Sequence, residues 1–213
     1  MMPQITALLR QKKARHRVSV FLDGEFAFGL YEETALLHAL KKGMELSGAV
    51  LDAVQQSDRR IHARFVAERY LSTRMRSEGE LRKRLQREEL PDDVIDETIA
   101  TFLRVQLIDD AAYAAAWIRD RGRLKPRSTA LLRRELRARG VAEGIIEQAL
   151  REEEQDDSSL ALELARNWLE RHASLDRDKA LRRVMGFLQR RGFSVSVAYE
   201  AVRRLFGEDA VAD

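Results

Sequence analysis

Two hydrophobic periods divide the chain. In "RVSVFLDGEFAFGL", Val18, Val20 and Leu22 recur at every second position, and Phe26, Phe28 and Leu30 do so again after Asp23-Gly24. Period-two alternation about an Asp-Gly dipeptide predicts a β-hairpin, because a tight hairpin turn needs residues that tolerate positive φ. The preceding "ITALLRQ" fits a third strand, although its "ALLR" also fits a helix. "EETALLHALKKG" predicts a short helix closed by Gly43. A lone hairpin is marginal in water, so this element needs a helix to pack on.

From about residue 56 the period becomes helical. Aligning Leu81, Leu132 and Val184 places Leu85, Leu136 and Leu188 in one column and Leu90, Val141 and Phe193 in the next. Val94, Ile145 and Val197 follow, then Ile99, Leu150 and Val202, without a gap at offsets of 51 and 52 residues. Tyr70-Leu71, Trp117-Ile118 and Trp168-Leu169 mark a further helix ahead of each unit. In the third helix of the second unit, Ile145, Ile146, Ala149 and Leu150 share one face. Gly140 and Gly192 end the second helix in two units, with Glu89 in that place in the first. Ser77 and Glu80 form a capping box at the start of the first of these second helices.

The expected fold is mainly α: three tandem three-helix, helix-turn-helix-like repeats in an elongated array, with a small N-terminal β-hairpin element. The expected segments are an N-terminal extension with a short helix at 1–55 and repeats at 56–109, 110–157 and 158–213. Stacked repeats offer a long surface to an extended partner.

Composition narrows the chemistry. The 213 residues contain no cysteine, which excludes disulfides and thiolate catalysis and fits a reducing compartment. No apolar run is long enough to span a bilayer. "MMPQITALLRQKK" lacks the apolar core of a signal peptide. A cytoplasmic protein is expected. His16, His38, His62 and His172 show no ligand spacing, and neither a Gly-rich phosphate loop nor a Gly-x-Ser-x-Gly elbow occurs. No enzyme activity, catalytic residue, metal or cofactor is expected.

The net charge of +3 hides a segregation. Residues 121–139 carry eight basic side chains against Glu135, whereas 143–157 carry seven acidic ones against Arg151. The first repeat does the same: Arg74 to Arg87 is basic, and Glu88 to Glu97 holds six acids and no base. Arg74, Lys125 and Arg177 share one column, and Arg76, Arg127 and Lys179 another, both expected just before the second helix. There, free backbone N–H groups and the helix dipole favour an anion. Arg82-Lys83 matches Arg133-Arg134, and the third repeat has Met185-Gly186 instead. For a single arginine a solvated face is the ordinary reading; recurrence makes these ten residues a candidate stripe for an acidic partner. The acidic third helices of the first two repeats would be repelled by phosphates, which argues against reading duplex sequence with them.

"VFLDGEFAFGL" with "LKKGMEL", "YLSTRMRSEGELRKRL", "LIDDAAYAAAWIRDR", "LLRRELRARGV" and "FLQRRGF" stand in this order along nearly the whole chain. Together they resemble the RecX family of regulatory proteins. The resemblance implies three tandem three-helix repeats and a non-catalytic modulator that binds the RecA recombinase as a filament on DNA; the protein itself is expected to be a monomer. It also implies suppression of the recombinase's ATPase, strand-exchange and coprotease activities in DNA recombination and repair. The competing expectation, drawn from the basic columns, is a stand-alone nucleic-acid-binding repeat protein without sequence preference.

Overall fold

The computed structural model describes residues 2–12, 14 and 16–207. Residues 208–213, which the expectation included in the third repeat, lie outside that set, as do Met1, Lys13 and Arg15 of the N-terminal segment. The described residues form two units. Those up to Met75 pack with Leu81–Ile108, and Arg76–Glu80 pack with those from Asp109 onward.

The first unit opens with β1 (Ile5–Arg10), β2 (Arg17–Leu22) and β3 (Glu25–Tyr31), an antiparallel sheet in chain order. "ITALLR" is therefore a strand. Asp23 and Gly24 both take positive φ, 50° and 94°, as a two-residue hairpin turn requires. Ile5, Val18, Val20 and Leu30 bury one face of the sheet against Leu40, Leu46 and Val54. The helix expected to run to Gly43 stops early, as α1 (Glu32–Leu37). Ala39 turns left-handed at φ 47°, and the chain folds back along β1, where the Ile5 N–H donates to Met44 O at 2.9 Å and Ile5 O accepts from the Gly43 N–H at 2.7 Å. Covering that strand edge and burying Leu40 and Leu46 outweighs a longer helix.

The helix α2 (Gly48–Leu71) begins earlier than the periodicity indicated, with Ser47 capping the N–H of Val50. Residues 55 and 56 therefore lie inside one helix. Val54 packs into the sheet core, while Ala63 and Ala67 enter a second core with Leu81 and Leu85 of α3 (Glu78–Gln86) and Val94, Ile95, Ile99 and Phe102 of α4 (Asp92–Arg104).

The second unit repeats this arrangement twice. One layer is α5 (Asp110–Leu124), α6 (Thr129–Ala138) and α7 (Glu143–Glu152); the next is α8 (Asp157–Glu170), α9 (Arg177–Arg190) and α10 (Val195–Phe206). Leu85, Leu136 and Leu188 are each 0% exposed at equivalent places in three separate cores. The most buried column of the third helices, Ile95, Ile146 and Ala198, lies one residue beyond Val94, Ile145 and Val197. Glu89 adopts φ 55° where Gly140 and Gly192 adopt 81° and 90°, so the left-handed corner recurs even without glycine. A second expectation fails here. Helix α9 starts at Arg177, a full turn ahead of Leu181, the equivalent of Thr129, so Arg177 and Lys179 lie in its first turn rather than before it.

Candidate partner-binding surface

The helix starts where an anion was expected are already occupied by the protein itself. At α3 the Ser77 hydroxyl accepts the Glu80 N–H at 3.1 Å, and Glu80 reaches back to the Ser77 N–H at 3.4 Å, completing the capping box. At α6 the Ser128 hydroxyl accepts the Leu131 N–H at 3.2 Å. The next free donors, Glu78 N–H and Thr129 N–H, each give 2.8 Å hydrogen bonds to Asp110 and Asp157, the first residues of α5 and α8. Burial raises the Asp110 pKa, and the Glu78 N–H offsets this in part. Two backbone donors of each of these first turns are therefore taken by the protein's own side chains.

These contacts form a joint that recurs within the second unit. Ser77 donates its hydroxyl to Arg139 O at 2.6 Å, and the Ser128 N–H reaches Arg191 O at 3.0 Å. Each serine is fully buried and receives the left-handed glycine corner that follows the second helix of the next layer. Gly79 lies under Gly140 so closely that a Cβ on either would stand 2.6–2.7 Å from the other's Cα. The doublets Asp109-Asp110 and Asp156-Asp157 signal this joint in the sequence: the first aspartate caps its own helix, and the second reaches the neighbouring one.

Much of the basic pattern is consumed internally. Arg82 pairs with Asp96 at 2.6 Å, and Arg133 with Glu147 at 2.5 Å, in the same columns of successive repeats. In the third repeat those columns hold Met185 and Tyr199, so both charges are absent together. The hydrogen bond from Arg133 lowers the Glu147 pKa, and the one from Arg137 lowers that of Glu143. Arg127 turns inward to pair with Glu135. Arg177 donates to Phe206 O at 3.1 Å. Arg76 is half-buried, whereas Arg74 and Lys83 are exposed. Lys125, Arg134 and Lys179 are exposed, and no hydrogen bond or ion pair holds their side chains among the described residues. Of the seven candidates in the second unit, these three present charge outward without an internal pairing.

The histidines serve the packing. His62 bridges the Tyr31 hydroxyl at 2.8 Å and Glu88 at 3.2 Å, His38 meets Ser57 at 2.8 Å, and His172 stacks on Trp168. No group of His, Cys, Asp or Glu among the described residues is arranged to hold a metal ion. Nor is any described helix long and apolar enough to cross a membrane.

Three-helix units repeated along the chain, with buried serine caps recurring at the second helix, define a tandem helical-repeat protein. Its segments match, in order, the regulatory protein RecX N-terminal domain at residues 3–47 and the first, second and third three-helix domains of RecX at 63–102, 109–150 and 154–202. Regulatory protein RecX of Bacillus pumilus is 30% identical over 96% of this chain and 78% of its own. That of Corynebacterium efficiens is 33% identical over 82% of this chain and 86% of its own. A crystal structure of regulatory protein RecX superposes with a TM-score of 0.65 at 28% identity, covering 94% of this chain and 98% of that one. RecX from Lactobacillus salivarius, at 22% identity and a TM-score of 0.60, shares the fold over 70% of this chain and 97% of its own. The chain belongs to the RecX family of regulatory proteins.

Proposed function

We propose that this protein regulates a RecA-type recombinase without catalysing a reaction itself. It binds the recombinase filament on DNA and restrains its ATPase, strand-exchange and coprotease activities. The observation that carries this reading is the ordered match of the N-terminal domain and all three helical domains to a family of regulatory proteins. The protein acts in the cytoplasm as a monomer, and its segments are the N-terminal extension and three repeats, with α2 serving both the extension and the first repeat.

The partner surface draws on the outward cations. Lys125, Arg134 and Lys179 meet the partner's acidic groups, and the exposed Arg74 and Lys83, with Arg76 and Arg177, contribute from the margin of that surface. Arg82, Arg127 and Arg133 support the surface by holding the repeats in shape. Contacts of this kind govern encounter rate and partner choice more than affinity.

The test is recombinase ATPase on single-stranded DNA, titrated with wild type and with the Lys125→Glu/Arg134→Glu variant. Loss of inhibition with an unchanged fold supports the reading. Tight binding to bare DNA, equal with and without recombinase and lost steeply with salt, would favour the stand-alone nucleic-acid binder instead.

A further inference from the structure

Four guanidinium groups cluster near Glu135 in the second unit, two of them on its carboxylate. Glu135 of α6 accepts from Trp117 Nε1 at 2.9 Å and from Arg121 Nε at 3.3 Å, and also pairs with Arg127. The Trp117 ring carries two of the cations: Arg121 Cζ lies 4.1 Å from its centroid and Arg139 Cζ 3.7 Å. Arg139 also donates Nη1 to Glu135 O at 3.0 Å. Arg191, in the corner after α9, donates Nη1 to Pro126 O at 3.0 Å, next in sequence to Arg127. Four positive charges therefore stand against one negative charge, drawn from two successive layers of the unit.

This is not an ordinary solvated patch. The side chains of Arg121 and Arg127 are 26% exposed and that of Glu135 is 13% exposed. Arg139 and Arg191 are half-buried, and the Arg139 Nε is buried with no hydrogen-bond partner. Burial, and then repulsion from Arg121, Arg191 and Arg139, lowers the Arg127 pKa. Like charges held this close and this dry favour an anion among them.

The chemistry selects the anion. One further carboxylate would cancel a single charge and leave two in excess. A phosphate group carries more charge and more acceptor oxygens, and guanidinium forks match it through paired N–H donors. The Trp117 ring is already covered by guanidiniums and cannot serve as a platform for a base, so recognition would rest on the phosphate alone. We propose that Arg121, Arg127, Arg139 and Arg191 form a phosphate-binding site completed across the joint between the second and third repeats. The phosphate comes either free or from the backbone of single-stranded DNA. The site goes beyond the regulatory reading and does not depend on recombinase binding.

Because Arg191 belongs to one layer and the other three arginines to another, occupancy ties the layers together and is read in stability. Thermal unfolding of the full chain is followed in sodium phosphate and in sodium chloride at matched ionic strength. A saturable rise in Tm specific to phosphate is expected. Arg121→Gln and Arg191→Gln each weaken the apparent phosphate affinity about tenfold, the loss of one charge-assisted hydrogen bond. Glu135→Gln removes the internal competitor; its Tm in chloride falls, while its gain from phosphate grows. The source is decided by the anisotropy of fluorescein-labelled oligodeoxythymidylate. Weaker binding in the arginine variants, with phosphate competing, identifies backbone phosphate; unchanged oligonucleotide binding identifies free phosphate. Identical Tm in phosphate and chloride, or an equal phosphate gain in wild type and both arginine variants, overturns the proposal. So does stabilisation by polyglutamate with none by phosphate, which would make the site a carboxylate receptor.

Discussion

Gly79→Ala isolates the joint from ordinary helix propensity. Gly79 is the second residue of α3, and Gly144 is the second residue of α7. In open space, replacing a helical glycine by alanine stabilises by about 0.5–1 kcal/mol, because glycine loses more backbone entropy on folding. Gly144 has nothing within 4 Å of an added Cβ, so Gly144→Ala should realise that gain. At Gly79 the Cβ would meet Gly140 Cα at 2.6 Å and Arg139 O at 2.7 Å. Both are backbone atoms and cannot rotate away, and forcing a methyl group into a packed contact costs about 1–3 kcal/mol. Moving the corner also strains the 2.6 Å bond from Ser77 to Arg139 O, which contributes about 1 kcal/mol. Gly79→Ala should therefore lose about 1–3 kcal/mol, opposite in sign to its control. Urea unfolding followed by far-ultraviolet circular dichroism measures both midpoints. If the two variants gain equally, the glycine corner does not press on α3 and the joint as described is wrong.

Four further outcomes follow from the same geometry. Leu136→Ala, at a fully buried site, should cost about 2–5 kcal/mol by thermal unfolding; an unchanged Tm would put the wrong face inward. Lys125→Glu/Arg134→Glu should hold stability within about 0.5 kcal/mol of wild type while removing recombinase inhibition. Arg127→Glu/Arg133→Glu should lower Tm, because those residues pair with Glu135 and Glu147; equal Tm values for the two double variants would erase the distinction. Burial raises the Asp110 carboxyl, so its ionised form costs the native state stability at neutral pH, and the stability belonging to the protonated form returns as pH falls through the folded pKa. Asp110→Asn keeps an acceptor for the Glu78 N–H, so its Tm should equal or exceed that of wild type near neutrality, with the gap closing toward about pH 4. A wild type more stable than the variant at neutral pH, and losing that advantage in acid, contradicts the sign.

Local, periodic features were legible in the sequence. Asp23-Gly24 specifies its turn through the φ values it tolerates. The leucine columns mark the cores because every third or fourth residue of a helix shares a face. Even Glu89 follows, since the register demands a left-handed corner whether or not glycine occupies it. Features decided by distant packing were not legible. The early turns of α2 bury only Val54 on the sheet, which leaves little apolar period to read. The extra first turn of α9 displaces a cap that would otherwise fall at Ala180, a residue with no hydroxyl to supply it. Asp110 and Asp157 reach donors 32 and 28 residues away, and only their recurrence as doublets hints at a shared task.

The basic columns show why charge recurrence alone misleads. A column that recurs because a partner reads it can lose its charge independently of its neighbours. A column that recurs because it completes an internal pair must change together with its counterpart. Arg82 and Asp96, Arg133 and Glu147, then Met185 and Tyr199 follow the second rule: both members are charged, or neither is. Such half-exposed pairs contribute only about 0–1 kcal/mol each, yet they orient the second helix against the third. Lys125, Arg134 and Lys179 have no such counterpart among the described residues. Their charge is left to act outward, and a partner-binding role can be tested at these positions without first unfolding the repeat that carries them.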